Sequence, residues 1–167
     1  MKQLCLVSIV LFLVCAARAQ TTFTVPNPPM EQKYNVTRDL LYNNILALIA
    51  IAQSEGMTPE EIGEEIGYRT RWYEDTGFEQ IVNFTLFSWA CLTDTVKIME
   101  QSSDKVVINI PHIYPQLEDQ GVINGSSIKD LIAYFDAMMR EIARPLGIST
   151  DITWGDEGMK IEISAIK

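Results

Sequence analysis

The sequence is poor in the residues on which many functional sites depend. Its 167 residues include one histidine and three cysteines, and 13 basic residues stand against 22 acidic ones for a formal net charge of −9. Zinc sites are usually built from several His and Cys ligands. Nucleic-acid binding needs clustered Lys and Arg facing the phosphates. Neither common glycine-rich phosphate-binding motif is present. We therefore expect no metal, no cofactor and no nucleic-acid partner.

The most continuous hydrophobic run lies at the N-terminus. Lys2 is followed by a nearly unbroken apolar stretch over residues 4–15 and then by Ala17-Arg18-Ala19. A positive residue, a short apolar stretch and a small-x-small site together predict a secretory signal peptide over residues 1–19. The stretch is shorter than the ~20 residues that a membrane-spanning helix needs, so no transmembrane anchor is expected. The protein is expected to be exported, either to a periplasm or out of the cell.

Cleavage of this signal would leave the exported chain with one cysteine, Cys91, because Cys5 and Cys15 would be removed. A disulfide-stapled scaffold is thereby excluded, and stability must come from a hydrophobic core, for which a 47% hydrophobic composition is sufficient. Three triplets match the acceptor pattern for N-linked glycosylation, which applies if the host is a eukaryote. They begin at Asn35, Asn83 and Asn124.

Proline and charge patterns divide the exported chain. Residues 20–36 contain three prolines and little periodicity, which predicts an extended arm before a single domain over residues 37–167. A first helix is predicted from Thr37 or Arg38 to about Ser54. The second helix has a capping box with Pro at its first position, in Thr58-Pro59-Glu60-Glu61.

A short tandem repeat follows in the second helix and places Gly63 and Gly67 four residues apart. Glycine in a helix lowers its stability by about 1 kcal/mol relative to alanine. The repeat therefore favours a role that needs the missing side chains, namely the close approach of another backbone or of a ligand. The four glutamates of the same repeat are expected to lie on a solvated face.

A third helix is predicted over residues 78–99. Besides its main apolar stripe it carries a second apolar patch at a different angle, formed by Phe84, Phe87, Cys91 and Ile98. This patch either packs inside the chain or faces a partner or a pocket.

The rest of the chain predicts a strand, a helix and a hairpin. Residues 105–110 have strong β character, and a helix is predicted from Ser126 or Ser127 to just before Pro145. Residues 151–166 alternate about a Gly-Asp-Glu-Gly turn and predict a hairpin. The order α-α-α-β-α-β-β predicts an α+β domain of about four helices packed on a small antiparallel sheet.

Two groups of side chains are candidates for a functional site. His112 lies in a loop and could act as a catalytic base with Tyr114, Cys91 or a nearby acid. Arg69, Arg71, Trp72 and Tyr73 form the densest cluster of binding-type side chains, suited to a carboxylate or sulfate. The alternative for this cluster is structural, with Arg69 neutralising Glu65 and the aromatic rings sealing the edge of the core.

The leading functional hypothesis is an exported, non-catalytic domain that binds a small apolar or amphipathic ligand, or packs against a protein partner such as a second copy of itself. The surplus apolar residues of the third helix and Tyr114 are its candidate binding residues. The alternatives are a small hydrolase or isomerase that uses His112, and an adaptor that engages a partner through residues 20–33.

Overall fold

A computed structural model describes residues 29–70 and 76–166, and the residues from Tyr34 onward form one compact unit. The helices are α1 (Met30–Ser54), α2 (Pro59–Arg69), α3 (Phe78–Leu92), α4 (Pro115–Gln120) and α5 (Ile128–Ala143), which a 3₁₀ turn (Arg144–Leu146) extends. The strands are β1 (Lys97–Gln101), β2 (Lys105–Ile110), β3 (Val122–Ile123), β4 (Ser126–Ser127), β5 (Ile148–Gly155) and β6 (Gly158–Ala165). The predicted α+β class is confirmed.

The main sheet is antiparallel and has the strand order β1-β2-β6-β5. Its central pair sets Ile108 opposite Ile161 and Val106 opposite Ile163, and all four side chains are buried in the core. The predicted hairpin is confirmed as β5 and β6, whose turn closes with Gly155 paired to Gly158. The short ribbon of β3 and β4 forms a second sheet.

Helix α5 begins and ends as the sequence predicts. The Ser127 hydroxyl accepts a hydrogen bond from the backbone N–H of Asp130, and the Asp130 carboxylate accepts one from the backbone N–H of Ser127. This reciprocal capping satisfies donors that a helix start leaves unpaired. At the other end Gly147 adopts a left-handed conformation with φ of +66°. The chain then turns into β5.

The first helix begins earlier than predicted. Helix α1 starts at Met30, so residues 30–36 are helical rather than extended. Pro29 immediately precedes the helix, and its carbonyl accepts the backbone N–H of Lys33 at 3.0 Å. Proline suits a helix start because its missing N–H would have no intrahelical partner there. The remaining arm at residues 20–28 and the predicted signal peptide at residues 1–19 lie outside the described residues.

The third helix ends earlier than predicted, at Leu92 instead of Met99. Thr93 leaves the helix in an extended conformation, and its hydroxyl donates to the Trp89 carbonyl at 2.9 Å. The Thr93 backbone N–H donates to the same carbonyl at 2.9 Å, so the backbone and the side chain of Thr93 together close the last turn of the helix.

The residues beyond that helix end form β1, an edge strand whose five residues are all exposed. Ile98 pairs with Ile108 of β2, and the pairing register shifts between Ile98 and Glu100. The spacing of these apolar residues is compatible with either a helix or a strand. Because the segment is hydrogen-bonded to β2, it forms a strand, and Ile98 does not belong to an apolar patch on α3.

Helices α2 and α5 pack with their backbones in close approach. A Cβ atom added to Gly67 would lie 2.6 Å from the Met138 carbonyl oxygen, and one added to Gly63 would collide with the Tyr134 carbonyl oxygen. Real Cβ atoms do not tolerate such distances to a backbone oxygen. The tandem glycines therefore serve a helix crossing, which confirms the prediction of close backbone approach.

We expect Gly67→Ala and Gly63→Ala each to lower the free energy of unfolding by about 1–2 kcal/mol, because overpacking outweighs the gain in helix propensity of about 1 kcal/mol. Denaturant titration followed by circular dichroism measures the effect. Gly155→Ala is the control, since an added Cβ meets nothing within 4 Å there. A gain in stability at Gly63 or Gly67 would contradict the proposed crossing.

Candidate functional site

An apolar cleft of about 580 Å³ opens between α3 and α5, with the C-terminal end of α2 beside it. Residues of α3 and α5 supply most of the wall, and Thr70 and Thr76 complete the lining. The lining side chains are Thr70, Thr76, Phe84, Thr85, Ser88, Trp89, Leu92, Phe135, Met138, Met139 and Ile142.

The deepest part of the wall is rigid and aromatic. Trp89 and Phe135 are both almost fully buried, and their rings meet edge to face at 5.0 Å. Met138 and Met139 lie beside them on α5. Thioether side chains are flexible and polarizable, so they adapt to ligands of different shape. The cleft thus combines a fixed aromatic floor with a deformable side.

The polar groups in the wall are hydroxyls. Thr70 donates its hydroxyl to the Ile66 carbonyl at 2.8 Å, whereas the Thr85 hydroxyl is buried and has no hydrogen-bond partner among the described residues. Thr76 and Ser88 contribute two further hydroxyls, and Ser88 lies one helical turn beyond Thr85. No charged side chain belongs to the wall within the part of the chain that the structure describes.

The structure divides the apolar patch predicted on the third helix. Phe84 lines the cleft and is 47% exposed. Phe87 is 68% exposed, Cys91 is also exposed, and neither is among the lining residues. Trp89 and Leu92, which lie on the main apolar stripe of the same helix, also line the cleft, and the α5 wall was not predicted. Apolar periodicity marks the face of a helix that avoids water, and it is the same for a core and for a cleft wall.

The predicted Arg and aromatic cluster is only partly described. Arg69 donates through Nε to the Glu65 carboxylate at 2.7 Å, in an exposed pair one helical turn apart. This geometry matches the structural alternative for Arg69. Arg71, Trp72 and Tyr73 lie outside the described residues.

His112 is held by an acid. Its Nδ1 lies 2.9 Å from Oε2 of Glu118, whose other oxygen accepts the backbone N–H groups of Ile113 and Tyr114 at 2.8 and 3.2 Å. The imidazole is exposed and borders a pocket of about 100 Å³, which Arg38 and other side chains also line. Glu118 is therefore the nearby acid that sequence analysis left unnamed.

Tyr114 belongs to the core. Its ring stacks on Tyr42 with centroids 4.7 Å apart, and its hydroxyl donates to Gln116 and accepts from Asn43. Burial raises the pKa of Tyr42 far above its usual value, and it also raises the pKa of Tyr114 and Tyr134. Proton exchange with a substrate is disfavoured at such groups.

The three glycosylation triplets occupy different settings. Asn83 is exposed on α3, next to Phe84 of the cleft. Asn35 is half-buried on α1, and Asn124 is exposed in the turn between β3 and β4 with φ of +54°. Of these, the turn at Asn124 is the one outside regular structure.

Comparison of the chain with known protein families, with curated proteins and with solved structures finds no match. No group of three or more metal-ligating side chains comes together within residues 29–70 and 76–166. None of the helices described here combines the length and the apolar character required to cross a bilayer. The case for a function therefore depends on the geometry of the cleft and of the His112 loop.

The buried tyrosines predict a loss of stability at alkaline pH. Below pH 10 the folded and unfolded states both keep the phenol protons; above it the unfolded state ionises first, because the folded pKa values are raised. The free energy of unfolding should fall by up to about 1.4 kcal/mol per pH unit for each such tyrosine. Tyr42→Phe should reduce the slope measured by denaturation between pH 9 and 11.

Tyr68→Phe is the matched control, because Tyr68 is exposed on α2. An equal change of slope in both variants would contradict the assignment to the buried phenols.

Proposed function

We propose that the protein is an exported, non-catalytic binding protein, whose cleft between α3 and α5 takes one small apolar or amphipathic molecule. The observation that carries the proposal is the open apolar cleft itself. Its volume of about 580 Å³ falls within the range typical of small-molecule sites, roughly 300–1,000 Å³.

The energetics of the wall support occupation by an apolar group. Apolar surface gains roughly 25 cal/mol for each Å² removed from water. Trp89 and Phe135 fix the floor, so a ligand would meet a largely preformed site on that side. Preformed walls favour binding because less side-chain freedom is lost on association.

Export is part of the proposal and rests on residues 1–19, whose charge, apolar stretch and Ala17-Arg18-Ala19 site have the order of a signal peptide. A hydrophobic core made by α1, α5 and the sheet is consistent with a protein that folds without disulfides.

Binding can be tested with diphenylhexatriene, a hydrocarbon that fluoresces in apolar surroundings. The purified protein should raise its fluorescence in a saturable manner. Ser88→Phe should weaken that binding at least ~10-fold, because a ring at this lining position fills the cleft. Fluorescence titration gives the Kd, and circular dichroism checks that the variant is folded.

Ala90→Phe is the matched control, since Ala90 lies on the same helix at an exposed position outside the cleft wall. Equal loss of binding in the two variants would place the probe elsewhere. Failure of the wild-type protein to bind it would remove the basis of the proposal.

A second candidate function is hydrolysis or isomerisation with His112 as the general base. The observation that favours it is the 2.9 Å contact between His112 Nδ1 and Glu118, because a carboxylate that orients imidazole through Nδ1 leaves Nε2 available for proton transfer. The exposed imidazole and the absence of an assigned nucleophile make this candidate the weaker one.

If His112 is catalytic, the protein should hydrolyse p-nitrophenyl butyrate with saturation kinetics, and His112→Ala should lower kcat/KM by roughly 100-fold. Glu118→Gln should also lower it, because the single amide oxygen cannot accept both the imidazole Nδ1–H and the backbone N–H groups of Ile113 and Tyr114. A wild-type rate that rises linearly with substrate, at the level of free imidazole, would rule the candidate out.

A further inference from the structure

Two buried threonine hydroxyls lack a hydrogen-bond partner among the described residues, those of Thr85 and Thr150, and Thr85 is the one that lines the cleft. Its side chain is 2% exposed, and its hydroxyl has no hydrogen-bond partner among the residues that the structure describes. Buried side-chain hydroxyls in native proteins are nearly always hydrogen-bonded to protein, water or ligand. The hydroxyl oxygen is itself shielded from solvent, so a ligand atom would reach it, and relieve this unfavourable state, after rotation about χ1 turns it toward the cleft.

The threonines just past the C-terminal ends of α2 and α3 make a bond that Thr85 lacks. Thr70 donates to the carbonyl of Ile66 at 2.8 Å, and Thr93 donates to the carbonyl of Trp89 at 2.9 Å, each four residues back along the chain. That bond is the usual way in which a helical threonine satisfies its hydroxyl. Thr85 makes no such bond, although it lies in the middle of α3.

The charge around the hydroxyl selects among ligand classes. The described wall of the cleft carries no charged side chain, and the chain as a whole has a net charge of −9. A carboxylate head group would be desolvated there without a described cation to pair with it, and a cationic head group would lack a described anion. A neutral oxygen avoids both penalties.

We propose that the ligand is a neutral amphiphile with a hydrocarbon body and one hydroxyl or carbonyl oxygen, and that this oxygen bonds to the Thr85 hydroxyl. The body lies against Trp89, Phe135 and the α5 methionines. This inference rests on the proposed function, because it names the ligand class of the same cleft.

Displacement of bound diphenylhexatriene by decanol, decanoate and decyltrimethylammonium tests the inference, because these three probes share a chain and differ in the charge of the head. Decanol should displace the hydrocarbon at least ~10-fold more effectively than either charged probe. The measurements use the purified wild-type protein at one ionic strength, below the solubility limit of decanol and below the micelle concentrations of the two charged probes.

Thr85→Val removes the hydroxyl and nearly preserves the shape of the side chain. It should weaken decanol binding ~5- to 10-fold and leave the affinity for diphenylhexatriene within about twofold, because the hydrocarbon makes no hydrogen bond. Thr85→Ser keeps the hydroxyl and should retain the preference for decanol even if the valine variant folds poorly. Ser88→Ala, which deletes another hydroxyl of the same wall, should have the smaller effect.

The outcomes separate the two proposals. If diphenylhexatriene does not bind, the proposed function fails and this inference falls with it. If it binds but decanoate competes as well as decanol, the neutral head group is wrong. If it binds and the threonine variants all bind decanol alike, the role of Thr85 is wrong while the cleft remains a binding site.

Discussion

The close crossing of α2 and α5 through Gly63 and Gly67 is the contact on which the cleft depends. Helix α5 supplies one wall of the cleft, and α2 ends beside it at Thr70. The distance between these helices is set by backbone atoms, because the Tyr134 and Met138 carbonyls face the glycines directly. Backbone contact leaves little room for adjustment by side-chain rotation. The position of one cleft wall is thus fixed by two residues that have no side chain.

The C-terminal end of α3 joins the two candidate sites. Leu92 lines the apolar cleft, and its carbonyl accepts the hydroxyl of Tyr42 from the core. The next residue, Thr93, borders the small pocket beside His112. Tyr42 stacks on Tyr114, which follows His112 closely in the same loop. A single rigid element therefore connects the wall of the cleft to the loop that holds the imidazole.

Local signals in the sequence predicted the elements whose ends they mark. The capping box at Thr58, the serine start of α5 and the Gly-Asp-Glu-Gly turn depend on neighbouring residues alone, and the structure has them as predicted. The end of α3 and the strand β1 could not be predicted in this way, because pairing with β2 decides them. The cleft was not predicted for a related reason. Its α5 wall has the apolar periodicity of a core helix, and a cleft wall differs from a core only in that no other element covers it. Likewise, the contact between His112 and Glu118 could not be predicted from their spacing, because the geometry of the loop brings the two side chains together.

The register shift in β1 affects how the sheet meets its surroundings. A regular edge strand presents an even row of backbone donors and acceptors, which invites a strand from another molecule to add to the sheet. Between Ile98 and Glu100 that row is interrupted. The charged side chains of Lys97 and Glu100, in a strand whose five residues are all exposed, keep this edge hydrated. An irregular, charged margin of this kind discourages fibril-like stacking. A protein that displays apolar side chains on its helices is thereby protected against uncontrolled self-assembly at one of the two edges of its main sheet.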